Sequence, residues 1–203
     1  GSYGKLMKAY YAKQDAEKLS GKGDTSQKLT LMKTSADSLK KSADALNDSS
    51  LWEKKKIKKK DEKTGEEIEV EDYDWDKITK AVKSFVEDYN DVVKEAGESN
   101  TKDVLRNASW MTGMTDKNSN MLAKIGITIG KGNKLELDED ALKQADISSL
   151  KTVFTGYNSF VSKISQKATG ISNAANRASA TYTNNGTYSK TDSLLTSSKI
   201  DEE

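Results

Sequence analysis

The stretch "ITKAVKSFVEDYNDVVKEA", residues 78–96, decides how the chain folds. Ile78, Val82, Phe85, Tyr89, Val92 and Ala96 recur at intervals of 4, 3, 4, 3 and 4. That spacing places them on one face of an α-helix, with charged residues on the other. Asp74 or Asp76 is expected to cap the start by accepting from the free backbone N–H groups of the first turn. Gly97 is expected to end it in the left-handed conformation.

The same spacing appears on both sides. Within 25–48, Leu29, Met32, Ala36, Leu39, Ala43 and Leu46 form an a/d seam thinned by two alanines, so this helix needs a close neighbour. Within 150–178, Leu150, Val153, Tyr157, Phe160, Ile164, Ala168, Ile171, Ala175 and Ala178 keep the pattern. We read this as one long helix, with Gly156 and Gly170 each costing about 1 kcal/mol and marking where it can bend. Trp110, Tyr157 and Phe160 fall at seam-like spacing and read as core. Residues 3–19 read as a first helix, with Leu6, Tyr10 (or Met7 and Tyr11) and Leu19 on one face, ended by "SGKGD". Residues 101–112 form another helix, capped by Thr101, with Val104, Leu105, Ala108 and Met111 inward. Residues 118–125 continue it or form a short helix of their own. From 181 the chain is rich in Thr, Ser and Asn and is expected to be ordered only by a partner, with Tyr182 and Tyr188 as the contact residues.

Composition narrows the function. Of 203 residues, 34% are hydrophobic and 32% charged, which suits long helices with a narrow apolar seam. The chain has 33 basic and 32 acidic residues, net charge +1, so no overall field draws it to nucleic acid or to an anionic membrane. No run approaches the ~20 apolar residues of a membrane-spanning helix. Gly1-Ser2 has the look of a cloning scar. There is no Cys, His or Pro. The missing His and Cys remove the Ser-His-Asp triad, the thiol nucleophile and the ordinary zinc site, leaving paired carboxylates or a Ser-Lys pair as the enzymatic options. Nothing interrupts long helices as proline would.

Two charged runs need a reading. "EKKKIKKK", 53–60, invites a nucleic-acid or membrane reading, but Glu66, Glu67, Glu69, Glu71, Asp72 and Asp74 follow at once. With "DEKTG" as the turn, the two runs fold into a hairpin with lysines opposite glutamates, each pair contributing roughly 0.2–1 kcal/mol. Ile57 falls opposite the Ile68 and Val70 region. Trp52 and Trp75 are expected to pack the base of the hairpin against the helices. A calcium loop over Asp61–Asp72 fails, because Lys63 stands at a ligand position and the last position is not Glu.

"GITIGKGNKLELDED", 126–140, raises the question of a phosphate loop. Lys131 is followed by Gly132 where a Walker A loop needs Ser or Thr, and the first glycine is one residue too close. No G-x-G-x-x-G is present. "GITI" and "KLEL" alternate like strands, joined by Gly130, Lys131, Gly132 and Asn133, whose glycines and asparagine supply positive φ angles. Asp138 caps the next helix, with Ala141 and Leu142 inward. Asp138 and Asp140 could be proposed as a carboxylate pair, but at a helix start acids stabilise the helix dipole.

Residues 122–156, "LAKIGITIGKGNKLELDEDALKQADISSLKTVFTG", resemble the C-terminal conserved region of the flagellar filament cap (hook-associated) protein family. Leu122, Ile125, Gly126, Ile127, Thr128, Lys134, Leu135, Leu137, Asp138, Leu142 and Phe154 occupy the matching positions. Phe85, Val86, Tyr89 and Asn90 match an F-V-x-x-Y-N helix of the same family, so the resemblance spans about 75–156. It implies a mainly α fold and a non-enzymatic structural or assembly protein. The implied partners are flagellar or other bacterial surface subunits, a homo-oligomer among them, and the implied place is outside the cell on the flagellum, with the cell surface or cytoplasm as alternatives. The competing reading is a secreted or surface binding module, an adhesin.

The residues and the resemblance together predict an elongated antiparallel helical bundle or coiled coil with small β-hairpins near 51–72 and 125–138. We expect N-terminal helices in 1–50, a charged hairpin insertion in 51–76, a bundle in 77–180 with a hairpin at 125–138, and a polar tail in 181–203. No catalytic, cofactor-binding or metal residue is expected, nor a cofactor, a bound nucleic acid or a membrane span. Phe85 and Tyr89 should be buried near Tyr157, Phe160 or Ile164. Residues 1–48 and 150–178 should lie side by side. The region 25–48 should pair within the chain, and 1–20 and 180–203 with a neighbouring subunit.

Overall fold

A computed structural model describes residues 4–9 and 23–184. The protein is mainly helical, with two small antiparallel sheets among the described residues. Helix α1 is described over 4–9. Then come α2 (Ser26–Leu46), β1 (Lys55–Lys60), β2 (Glu67–Asp72), α3 (Trp75–Gly97), α4 (Lys102–Lys117) and α5 (Ser119–Ala123). The chain continues through β3 (Ile127–Ile129), β4 (Leu135–Leu137), α6 (Glu139–Gln144), α7 (Ile147–Phe154) and α8 (Phe160–Asn184).

Helix α3 lies at the centre of the core. All six residues of its seam are buried. Asp74 caps it by accepting from the Lys77 N–H at 3.1 Å. Its end differs from expectation: Gly97 is the last helical residue and lacks a positive φ, and Ser99 N–H closes the turn onto the Ala96 carbonyl. A second stripe, Thr79, Val86 and Val93, is buried on a neighbouring face. Asn90, beside that stripe, holds β4. Its amide donates to the Leu135 carbonyl at 3.0 Å and its oxygen accepts from the Leu135 N–H at 2.7 Å.

Helix α8 runs antiparallel to α2 and to α4. Asp37 pairs with Ser172 at 2.6 Å and Asp44 with Ser165 at 2.7 Å, seven residues apart on each helix and in opposite order. On the α4 side, Asn107 lies against Gly170, where a side chain on the glycine would strike its amide. The alanines that thin the seams, Ala36, Ala43, Ala168 and Ala175, are buried and let the backbones approach. The start of α2 and the end of α8 therefore share one end of the molecule, as expected for 25–48 and 150–178.

The expected single helix over 150–178 is broken. Helix α7 ends at Phe154, and α8 starts at Phe160. Gly156 takes φ +102°, a conformation that glycine adopts freely. Asn47, at the end of α2, brackets it: its oxygen accepts from Gly156 N–H at 2.9 Å and its amide donates to the Gly156 carbonyl at 3.3 Å. Ser159 then caps α8 by accepting from the Ser162 N–H. The break has a packing consequence. On a continuous helix, residues six apart would be separated by ~9 Å of rise and about a third of a turn. Here both Phe154 and Phe160 pack edge-on against Phe85, with centroids 6.3 and 6.4 Å away. Tyr157, expected in the core, sits in the broken segment and is 84% exposed.

Trp110 is the second correction. It is 53% exposed on α4, because the buried face there runs through Val104, Ala108, Met111 and Thr115. The Lys167 ammonium lies 4.9 Å from its ring centroid. Leu6 is the third. Residues 1–20 were expected to find their partner in another subunit, yet Leu6 is buried against Leu105 of the same chain. Tyr10, Tyr11 and Leu19 lie outside the described residues.

Asp24 was not anticipated by any motif. It is 1% exposed, just before α2. Its carboxylate accepts from Ser99 Oγ at 2.8 Å, Thr101 Oγ1 at 2.5 Å and Asn100 N–H at 2.8 Å. Thr101 stands at the start of α4, but its hydroxyl serves Asp24 rather than capping the helix.

Two measurements test this packing. Phe85→Ala should lower stability by about 3–5 kcal/mol in denaturant unfolding, because the ring is fully buried and three rings would lose their partner. The α2–α8 contacts should be acid-sensitive. Partial burial opposes the charge of Asp37 and Asp44, but hydrogen bonds from Lys33 and Ser172, and from Lys40 and Ser165, outweigh it and hold both carboxyls below the usual range. A lowered folded pKa stabilises above the unfolded value and is lost as pH falls through the folded one. Both side chains are about half exposed, so the contribution is small. Asp37→Asn with Asp44→Asn should lower stability by about 1 kcal/mol at pH 7. The difference from the natural sequence should close as pH falls well below the usual carboxylate range, read by thermal unfolding across a pH series.

Candidate interaction surfaces

The charged hairpin is the most exposed element. β1 and β2 pair antiparallel, with Lys56 opposite Glu71, Lys58 opposite Glu69 and Lys60 opposite Glu67. These six share one face because side chains alternate along a strand. Lys55, Ile57 and Lys59 lie opposite Asp72, Val70 and Ile68 on the other face, so the expected apolar pairing is present. Ile57 and Val70 are half-buried and Ile68 is exposed. The turn forms over Asp61–Gly65. Gly65 takes φ +73°, and the Asp61 carboxylate accepts from the Lys63 N–H.

Two tryptophans hold the base, as expected. Trp52 is fully buried, donates from Nε1 to the Leu46 carbonyl at 2.7 Å and stacks on Phe154 at 5.7 Å. Trp75 is half-buried against the core and meets Tyr73 edge-on at 6.2 Å. Lys54 lies over the Tyr73 ring. Asp72 accepts from Lys59 at 2.5 Å and from the Tyr73 N–H, and these bonds hold its carboxyl below the usual range.

The glycine stretch is scaffold. Ile127–Ile129 pairs with Leu135–Leu137, and Gly132 and Asn133 turn between them at φ +68° and +63°. Gly126, at φ +90°, passes so close to the next helix that a Cβ would come within 2.7 Å of the Asp138 carbonyl oxygen. The Asp138 N–H in turn donates to the Gly126 carbonyl at 2.8 Å. The Glu136 carboxylate lies against Gly130, which sets a negative charge beside the loop where a phosphate would need positive ones. Asp138 caps α6 by accepting from Ala141 N–H, and Asp140 lies in that helix's first turn. Lys83 of α3 reaches Glu139 at 3.8 Å.

The structure gives roles to the Phe85–Asn90 motif. Phe85 is the core ring, Asn90 clamps β4, and the Tyr89 hydroxyl donates to Thr115 Oγ1 at 2.8 Å. Burial pushes the Tyr89 phenol well above its usual pKa. Of the two tyrosines expected to meet a partner, Tyr182 falls in the last turns of α8 and Tyr188 lies outside the described residues. Among the described residues no three His, Cys, Asp or Glu side chains gather to hold a metal. No described helix is long and apolar enough to cross a membrane.

Neither a curated protein nor a solved structure matches the chain. One family model, described as the C-terminus of flagellar hook-associated protein 2, matches residues 99–201. The match begins at the α3–α4 turn and runs through the glycine hairpin, α7 and α8. It shares 99–156 with the resemblance read from the sequence, leaves out the Phe85–Asn90 helix and adds 157–201. The span is just over half the chain, and the protein belongs to the flagellar hook-associated protein 2 family.

Proposed function

We propose that this protein is a non-enzymatic structural part of the bacterial flagellum. In this reading it acts outside the cell, by associating with its own copies or with other flagellar subunits, as filament cap proteins do. The family match carries the proposal. The geometry supports it, because the matched region is built of packing and capping groups: the Gly126–Asp138 bond, the Asp138 cap, and α8 lying along α2 and α4. No cofactor or metal enters the reading. Nucleic acid is absent from it too, because an acidic strand lies directly beside the lysine strand and would repel phosphates.

The same proposal includes the domain plan. Residues 1–50 and 77–180 form an elongated antiparallel bundle, 51–76 is an insertion projecting from it, and 181–203 is a tail for subunit contact. Sedimentation of the full chain across a concentration series, alone and with flagellar filaments, tests it. The full chain should self-associate or co-sediment with filaments. Deleting 185–203 should weaken that association by about tenfold, or 1.4 kcal/mol. A chain that stays monomeric and ignores filaments, yet binds host cells or glycans, would favour the adhesin reading.

A further inference from the structure

We infer that the two open edges of the charged hairpin form a head-to-tail contact between copies of this chain, with the lysine strand of one copy adding to the acidic strand of the next. The inference rests on the self-association proposed above and assigns it an interface.

Three observations carry it. Among the described residues the sheet has two strands, β1 and β2, so each has an outer edge whose backbone N–H and C=O groups are unpaired within the sheet. Such edges are templates for a further strand. The two edges carry opposite charge, lysines along β1 and glutamates along β2. Much of that charge is also unmatched inside the chain. Lys58 reaches Glu67 only at 3.8 Å, and Lys59 pairs with Asp72, whereas Lys56, Lys60, Glu69 and Glu71 form no ion pair among the described residues.

Charge then selects the geometry. An edge can meet its own kind or the other kind. Lysine strand against lysine strand repels, as does acidic strand against acidic strand. Only β1 against β2 brings opposite charges together. Repeating the hairpin in one orientation places β2 of one copy beside β1 of the next. Because β1 and β2 are antiparallel within a copy, each new pair is antiparallel as well. Such a heterologous contact propagates into a ring or a filament rather than stopping at a two-fold dimer. The lysines that guard a lone edge against indiscriminate pairing here admit one partner, an acidic edge.

The test keeps the hairpin folded. One variant neutralises the lysine edge, K56Q/K58Q/K60Q, and a second neutralises the acidic edge, E67Q/E69Q/E71Q, so neither places like charges across the hairpin. Full-length natural and variant chains are followed by sedimentation velocity over a concentration series, and matching circular dichroism spectra verify that all are folded. Each variant alone should self-associate at least tenfold more weakly than the natural chain. Mixed, the two variants together keep one lysine edge and one acidic edge, and should pair with each other at least tenfold more tightly than either pairs with itself. Raising salt from about 0.05 to 0.5 M should weaken the natural self-association about tenfold, as screening shortens the range of the charges. Variants that self-associate as tightly as the natural chain, or a mixture no tighter than either variant alone, overturn the hairpin interface while leaving self-association standing. A natural chain that is monomeric at every concentration overturns both.

Discussion

Phe85 is the ring on which the arrangement of helices depends. It meets Tyr89 of its own helix, Phe154 at the end of α7 and Phe160 at the start of α8, all within 6.2–6.4 Å of its centroid. Phe154 passes the contact on to Trp52, and Trp52 ties the hairpin base to the end of α2 through the Leu46 carbonyl. Only a third of the residues are apolar, so a few large rings must do most of the burying. The break between α7 and α8 follows from that need. A straight helix could not present both phenylalanines to one ring, so the chain spends Gly156 and the Asn47 clamp on turning the corner.

Away from the rings, the seams are thinned by alanines. Alanine lets helices approach but holds their register weakly, since one small side chain slides past another at little cost. Polar groups supply the register instead. Asp37 with Ser172 and Asp44 with Ser165 set α2 against α8 at two points one heptad apart. Asp24 fixes the entry to α2 against the α3–α4 turn, and Asn90 fixes β4 against α3. A one-residue slip would strand the buried Asp24 charge without donors, at a cost far above that of the lost hydrophobic contact.

The division between what the sequence revealed and what it hid follows from range. Helices α2 and α3 were legible because their periodicity is local, and both hairpins because alternation and turn residues are local too. The cross-strand lysine–glutamate register followed from the turn. The break at 155–159 was not legible. Tyr157 and Phe160 continue the 3/4 spacing through it, and what stops the helix is Asn47, 109 positions away. Trp110 differs for a related reason: its spacing falls near a seam, but its position on α4 turns it toward Lys167. Asp24 gave no signal, because an acid after "SGKG" reads as part of a polar turn until Ser99 and Thr101 are placed beside it. For function, local spacing found the glycine hairpin that the family match contains, while α8, which the match adds, shows only the seam spacing of any packed helix and no distinctive local motif.

The hairpin and the core are physically separable. Lys56, Lys58, Lys60, Glu67, Glu69 and Glu71 are all exposed and share one face of the hairpin, outside the buried core. The base, at Trp52, Tyr73 and Trp75, joins the two. Charges on that face can therefore be rearranged while the ring contacts of Phe85 stay intact. The region matched to the family, 99–201, begins after the hairpin and includes none of it. Family membership therefore accounts for the scaffold from the α3–α4 turn onward. The hairpin's exposed charges lie outside that scaffold, so they can change without altering its packing.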